Sequence, residues 1–233
     1  MTNLKKILRG TFIHKLYWKC WHYSYNYRQQ MKISKFQKDG LCMLRAFAEA
    51  LNNEGIVFWL DFGTLLGYYR EHSFIRHDND LDFGAYIEDA QRIKNALEKN
   101  GFELVRNYWV EGEDGIEHCF KYRASTVDVF YYTKKGNELV GCSFLPIDGV
   151  QLNKTIRFRV MEFVQPYTGL KRDEFLGVNV NVPVDTDLYL RSNYGSGYMT
   201  PDPNFNSEKT APNITIYDYA EKRGAGILKM KYS

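Results

Sequence analysis

The sequence predicts a mixed α/β fold in which helices pack on a sheet. Three observations lead to this class: a 20-residue stretch with helical periodicity, several short runs rich in β-branched and aromatic residues, and a second helical stretch between two of those runs. The chain has 233 residues, of which 44% are hydrophobic and 25% charged. This composition is typical of globular proteins and excludes a wholly disordered, collagen-like or disulfide-knot chain.

The predicted elements follow one another over the first two thirds of the chain. Apolar residues recur at helical spacing from about Ser34 to Asn53, and Gly55 then supplies a stop. The run IVFWLDF predicts a buried strand, GTLLGYYR a short helix after a strand, and LDFGAY a second strand. A helix over residues 88–100 and three strands, FELVRNYWV, IEHCFKYR and TVDVFYY, come next. After about residue 164 glycine and proline are frequent, and we predict a loop-rich C-terminal part.

The N-terminal 38 residues differ in charge from the rest. They hold nine Lys or Arg and no acid, which leaves 22 basic residues against all 28 acidic ones in the remainder. We therefore predict a basic, aromatic extension at 1–38 and a catalytic domain at 39–233. A basic amphipathic segment can lie on an anionic membrane surface, or dock on the domain with its charges solvated. Nucleic acid is not an expected partner, because the acidic remainder would repel phosphates.

The spacing of the cysteines and the hydropathy of the chain indicate the cellular compartment. The four cysteines are widely spaced and form no CxxC pair, which fits a reducing environment. No stretch has the apolar length of a membrane span, and no signal peptide is recognisable. We expect a cytoplasmic protein with peripheral contact at the inner face of the membrane through residues 1–38.

Three aspartates form the most informative pattern. Asp78, Asp80 and Asp82 alternate with other residues, and in a strand such alternation places the carboxylates on one face. Like charges this close require a cation or a shared proton. Because Mg²⁺ prefers carboxylate and phosphate oxygens, we expect Mg²⁺, with Mn²⁺ as the alternative. Asp80 and Asp82 are predicted metal ligands, Asp78 a further ligand, and a solvated edge strand is the competing interpretation.

Asp128 is a fourth candidate for this site. It lies inside the apolar strand TVDVF, where an unpaired carboxylate is expensive to bury. We expect Asp128 to be a metal ligand or the catalytic base.

Gly63 and Thr64 are predicted to bind phosphate. Glycine allows a phosphate to approach the backbone closely, and the N–H groups of the following turn favour an anion. Arg70 could grip a diphosphate through its planar guanidinium, with a surface ion pair as the alternative. Arg76 and His77 flank the aspartates as secondary phosphate contacts. A structural role is predicted for His118, with an acid or base as the alternative.

The pattern G-T-L-L-G-x2-R-x7-D-x-D-x-D, preceded by the W-L-D of residues 59–61, resembles the LicD/fukutin family. Tyr194-Gly195, Tyr198-Met199 and Pro201 are similar to the C-terminal Y-G-x-x-Y-M…P stretch of that family. The resemblance spans about residues 40–203 and makes Tyr194 and Tyr198 candidate substrate-binding residues. The chain departs from the family at His77, Asn79 and the Tyr-Tyr pair at 68–69, positions that bear on the pocket more than on metal chemistry.

The resemblance implies a phosphotransferase on a nucleotidyltransferase-like fold. The expected donor is a CDP-activated alcohol carrying phosphocholine or ribitol phosphate. The expected acceptor is a sugar hydroxyl of a glycan or lipid-linked saccharide, as in lipopolysaccharide, capsule or teichoic acid. Two alternatives remain open: transfer of the nucleotidyl group itself, and a catalytically silent glycan-binding module.

Overall fold

The computed structural model describes residues 12–147, 149–202 and 205–230, with side chains from residue 27 onwards. The α-helices are α1 (Phe12–Asn53), α2 (Phe62–Leu66), α3 (Ala90–Lys99), α4 (Thr186–Tyr194) and α5 (Ser207–Thr210), and a π-helical turn (Gly67–Glu71) follows α2. The strands are β1 (Phe58–Leu60), β2 (Asp80–Tyr86), β3 (Glu103–Val110), β4 (Ile116–Tyr122), β5 (Ser125–Lys135), β6 (Glu138–Pro146), β7 (Thr155–Pro166), β8 (Leu170–Phe175), β9 (Val178–Pro183), β10 (Ile214–Tyr217) and β11 (Gly224–Leu228). A mixed α/β fold is therefore confirmed.

Nine strands form one sheet in the order β1-β2-β5-β4-β3-β11-β7-β10, with β6 joining β5 and β7. Because β6 pairs with both, the six strands β5-β4-β3-β11-β7-β6 close into a ring. Strands β2 and β5 run parallel. Strands β8 and β9 form a separate antiparallel pair.

Helices α1 and α3 pack on one face of the sheet. In α1, Phe47 stacks on Phe83 of β2 at 3.9 Å between ring centroids and meets Phe58 of β1 edge-on at 5.4 Å. Ile93 and Leu97 of α3 are fully buried in the same core. These contacts fill the face to which the odd-numbered residues of β2 point, so its even-numbered residues are available for a site.

Helix α1 continues through the predicted boundary between residues 38 and 39. Phe36, before that boundary, is fully buried, and its ring lies 5.1 Å from that of Phe74. Gly40 fits beneath both rings, since a Cβ there would lie 3.1 Å from Phe36. The second half of α1 is thus part of the domain core. Most of the basic amphipathic segment predicted at residues 1–38 lies outside the described side chains, which begin at residue 27. Among the described residues, no helix is long and apolar enough to cross a membrane.

The C-terminal part contains more regular structure than the loop-rich segment predicted from the sequence. Strands β8 to β11 and helices α4 and α5 all lie largely beyond residue 164. The small residues of β11 are needed there by packing, since a Cβ at Gly226 would lie 2.6 Å from the ring of Tyr108. Such a strand depends on contacts with distant residues, and its own sequence has little strand propensity.

Candidate active site

Four polar side chains form a row across neighbouring strands. The register pairs Asp82 of β2 with Asp128 of β5, Asp128 with Cys119 of β4, and Cys119 with Arg106 of β3. Strand alternation places this row on the face opposite the α1–α3 layer. Asp80 lies two residues before Asp82 and shares its face, so the structure brings three of the predicted carboxylates together.

The carboxylates of this cluster have unusual proton affinities. Burial raises the pKa of Asp80 to about 7, and repulsion by Asp128 and Asp78 adds to the shift. Burial and then repulsion by Asp80 and Asp128 raise the pKa of Asp82 well above its ordinary value. The pKa of Asp78 rises to about 6 through burial and the nearby Glu71. The cluster therefore concentrates negative charge that a cation would relieve.

Gly63 and Thr64 hold Asp82 in place. The Gly63 N–H donates to Asp82 Oδ2 at 3.0 Å, and Thr64 Oγ1 accepts from the Asp82 N–H at 2.8 Å. A Cβ at residue 63 would lie 3.1 Å from Asp78 Oδ2 and 3.2 Å from Asp82 Oδ2. A larger residue at position 63 would therefore crowd the two carboxylates, and glycine gives the chain a closer approach to them. The predicted phosphate contact of this pair stays a prediction, because here both residues bind Asp82.

Asp61 is a buried residue that we did not predict as part of the site. It caps α2 by accepting from the Phe62 N–H at 2.8 Å, and it also accepts from the hydroxyls of Tyr132 at 2.5 Å and Tyr189 at 3.1 Å. Burial raises its pKa to about 7. Asp61 fixes the turn that carries Gly63. Its position between an apolar strand and a glycine was the available sequence signal.

Arg106 and Glu117 are further charged residues that the sequence reasoning missed. Arg106 Nη2 lies 3.5 Å from Asp128 Oδ1 and donates to Cys119 Sγ at 2.7 Å. Burial, followed by repulsion from Asp128, raises the pKa of the buried Glu117 to about 8. Both residues interrupt predicted apolar strands, so the argument used for Asp128 would have found them.

Lys32 reaches the cluster from α1. The Lys32 side chain is partly buried. Burial lowers its pKa, and the negative charge of Asp80 acts in the opposite direction. The positive charge of Arg106 also lowers the pKa of Lys32, so Lys32 lies near Arg106 as well as near Asp80. No sequence pattern links residue 32 to β2, because this contact depends on where the helix lies.

The Arg70 guanidinium binds other groups of the protein. Its Nη1 donates to the Tyr198 carbonyl at 3.1 Å, and its Nη2 pairs with Glu71 at 2.8 Å. The charge of Arg70 lowers the pKa of Asp78 against the larger effect of burial, so Arg70 lies beside the cluster. The Tyr198 hydroxyl donates to Asp187 at 2.5 Å and is thus held by that surface carboxylate.

Tyr194 borders the carboxylates, and burial followed by the charge of Asp82 raises its pKa. It lines a cavity of about 330 Å³ together with Gly63, Asp82 and several aromatic side chains, including Phe130 and Phe163. This cavity opens beside the cluster and has the size of a small-molecule site.

Three further residues considered in the sequence analysis have different settings, and the predicted phosphate contacts of Arg76 and His77 stay predictions. Arg76 and His77 are exposed in the turn that precedes Asp78. His118 is buried, and its Nδ1 lies 3.0 Å from the Tyr131 hydroxyl. Since His118 neighbours Cys119 on β4, it points to the face away from the aspartates. A structural role for His118 agrees with this placement.

The carboxylates of the cluster are donor groups that could hold a divalent cation. Within the part of the chain that the structure describes, no three His, Cys, Asp or Glu side chains form a ready metal cage. Asp128 Oδ1 is buried and, among the same residues, accepts no hydrogen bond. Mg²⁺ commonly takes one or two carboxylates and fills its shell with water and phosphate oxygens. Asp80 and Asp82 fit such an ion.

A mixed sheet with a cluster of buried carboxylates is typical of nucleotidyltransferase-like domains, and comparison with known proteins gives the family. The family model described as "LicD/FKTN/FKRP, nucleotidyltransferase domain" matches residues 55–185. The match covers more than half of the chain, which therefore belongs to this family. The resemblance noted in the sequence is confirmed.

Curated relatives include two named transferases. The chain is 28% identical over 181 residues to "Ribitol-5-phosphate transferase FKTN" of Homo sapiens, covering 77% of this chain and 37% of that protein. It is 26% identical over 173 residues to "Ribitol 5-phosphate transferase FKRP" of Mus musculus, covering 68% and 33%. The chain thus spans about a third of the length of these relatives.

A solved lincosamide antibiotic adenylyltransferase, LnuA with lincomycin bound, aligns with a TM-score of 0.36 and 12% identity over 57% of this chain and 73% of its own. No conclusion rests on a similarity this low.

Proposed function

We propose that this protein transfers a phospho-alcohol from a CDP-activated donor to a sugar hydroxyl of a glycan or lipid-linked saccharide. The observation that carries the proposal is the convergence of Asp80, Asp82 and Asp128 on one face, with the pKa values of the first two raised by burial and repulsion. The names of the relatives favour ribitol phosphate as the transferred group. Phosphocholine is the alternative within the family.

The proposed reaction forms one phosphorus–oxygen bond and breaks another. The acceptor hydroxyl oxygen attacks the phosphorus that bears the alcohol, and the bond from that phosphorus to the bridging oxygen breaks. CMP leaves with the bridging oxygen, and the hydroxyl proton passes to Asp128. The products are a phosphodiester, CMP and one proton that later reaches solvent. Such transfer depends mainly on positioning and charge neutralisation.

The residues of the chain have distinct parts in this proposal. Asp80 and Asp82, with Asp78 as a further ligand, would hold a Mg²⁺ or Mn²⁺ ion that neutralises the charge of the diphosphate. Gly63 and Thr64 fix the Asp82 carboxylate and backbone through their hydrogen bonds. Arg70 and Tyr194 border the same space and are proposed to contact the donor.

Nucleotidyl transfer is the second candidate, because the matching family model is described as a nucleotidyltransferase domain. The two reactions differ in the phosphorus that is attacked. Phosphotransfer releases CMP, whereas nucleotidyl transfer from a nucleoside triphosphate releases pyrophosphate. A catalytically silent glycan-binding module would release neither.

The function is tested by donor screening and by two variants. Thermal shift with CDP-ribitol, CDP-choline and CDP-glycerol in Mg²⁺ identifies the donor, because a ligand that binds only the native state raises its melting temperature. Asp80→Asn and Asp82→Asn should each lower CMP release by at least about a hundredfold while the fold is kept. Asp89→Asn, at a surface ion pair with Arg92, is the matched control. Near-normal CMP release by either cluster variant would refute the proposal.

We also propose that residues 1–38 contact the membrane peripherally, at the cytoplasmic face. Exposed Tyr27 and Met31 lie one helical turn apart in the described part of α1, with 59% and 42% of their surface accessible, and the segment is basic. Co-sedimentation with vesicles containing phosphatidylserine should exceed that with neutral vesicles. Equal binding to both vesicle types would contradict this role.

A further inference from the structure

Arg106 is placed beside Asp128 by an irregularity in β3. The register between β3 and β4 shifts between Leu104 and Arg106, which is the mark of a β-bulge. A bulge changes the face to which the following side chains point. After it, Arg106 is paired with Cys119, and its guanidinium lies 3.5 Å from Asp128 Oδ1 with 10% of its side chain accessible. A buried cation is thus built into the row of residues that contains the candidate base.

Arg106 opposes the binding of a second divalent ion at Asp128. Its guanidinium already supplies a positive charge 3.5 Å from Asp128 Oδ1, in a largely buried setting. A divalent ion on the same oxygen would be repelled by that charge, most strongly in a region of low dielectric constant.

The two ends of the cluster also differ in what surrounds them. Asp82 lies at the end of the row beside Gly63, and both residues line the cavity of about 330 Å³. Asp128 lies between Asp82 and Arg106, so a cation bound at its Oδ1 would meet the guanidinium directly. An arginine remains charged in proteins under all ordinary conditions, and its position therefore excludes a second metal there at any working pH.

We propose that Arg106 is a positioning residue that holds Asp128 and occupies the place of a second divalent cation, so that the site takes a single metal at Asp80 and Asp82. This inference rests on the proposed function. Arg106 acts through Asp128 and makes no contact with the reacting atoms. It keeps Asp128 uncoordinated by metal, with an oxygen available to accept the proton of the attacking hydroxyl.

The number of bound metal ions tests the inference. Full-length protein is titrated with Mn²⁺ alone, bound ions are counted by electron paramagnetic resonance, and their positions are located by anomalous scattering from crystals soaked in Mn²⁺. We expect one ion per chain, in contact with Asp80 and Asp82. Two ions, one of them on Asp128, would overturn the inference and leave the proposed function standing. No ion at saturating Mn²⁺ would overturn both.

Variants at residue 106 provide a second test. Arg106→Met removes the charge at similar length, and we expect a second Mn²⁺ ion to bind at Asp128 and CMP release to fall about a hundredfold. Arg106→Lys keeps a cation and should restore the single-ion stoichiometry. Arg92→Met, at an exposed ion pair, is the matched control and should behave as wild type. A folded Arg106→Met protein that binds one ion and releases CMP at the wild-type rate would contradict the role of Arg106. If that variant does not fold, the wild-type ion count decides alone.

Discussion

Asp82 and Asp128 face each other across the parallel strands β2 and β5. Each carboxylate has a different protein partner: Asp82 accepts from the Gly63 N–H at 3.0 Å, whereas Asp128 lies 3.5 Å from the Arg106 guanidinium. The two carboxylates therefore differ in their surroundings: a backbone N–H donates to Asp82, and a guanidinium cation lies beside Asp128. This difference underlies the separate roles proposed for them.

Replacing Thr64 by Val should weaken the positioning of Asp82. The substitution preserves the shape of the side chain and removes the hydroxyl that accepts from the Asp82 N–H at 2.8 Å. Since Thr64 is buried, we expect a loss of about 1–2 kcal/mol in the free energy of unfolding and a lower rate of CMP release. Urea denaturation and a CMP assay measure the two effects. Thr64→Ser should restore both, and a Val variant with full activity would show that this hydrogen bond has no functional role.

Asp61, a buried helix cap, should contribute more to the free energy of unfolding than Asp185, an exposed helix cap. Asp61→Ala removes the cap of α2 and leaves the hydroxyls of Tyr132 and Tyr189 without this acceptor in the core. We expect it to lower the free energy of unfolding by about 3 kcal/mol or more. Asp185 also caps a helix, accepting from the Leu188 N–H at 3.0 Å in an exposed setting, and its Ala variant should lose only about 1 kcal/mol. Equal losses in urea denaturation would contradict the importance of the tyrosine contacts.

Glu117 should make the protein less stable at high pH. Because burial raises its pKa to about 8 in the folded state, folding favours its protonated form. Its contribution to stability is fully present below the unfolded pKa of about 4.3 and is lost as pH rises through about 8. The free energy of unfolding of Glu117→Gln, relative to that of wild type, should therefore increase between pH 5 and pH 9, by roughly 1.4 kcal/mol for each unit of pKa shift. A constant difference across this range would show that Glu117 is ionised in the folded protein.

His118 should make the protein less stable at low pH. Burial, aided by Lys94, lowers its pKa to about 4. Folding favours neutral imidazole, so the stability present above the unfolded pKa of about 6.5 is lost as pH falls toward 4. Over that interval the free energy of unfolding of His118→Gln should fall less than that of wild type. The difference should be about 1.4 kcal/mol for each unit of pKa shift. CMP release at pH 7.5 should be nearly unchanged, because His118 faces away from the aspartates. A large loss of activity in a folded variant would assign it a role in the site.

The sequence by itself determined the family, the mixed fold class and the local geometry of the aspartates. Strand alternation is a local property, so Asp80 and Asp82 share a face whatever β2 pairs with. The buried setting of Asp128 could be inferred in the same way, from its apolar neighbours.

Only the tertiary structure decided which distant residues meet these aspartates. Arg106 reaches Asp128 because three strands pair in a particular register and β3 carries a bulge. Lys32 approaches Asp80 because α1 continues unbroken past residue 38 and packs through Phe36 and Phe47. The choice of pairing strands and the placement of a helix depend on packing between segments far apart in the chain, and periodicity within one segment does not specify its partner.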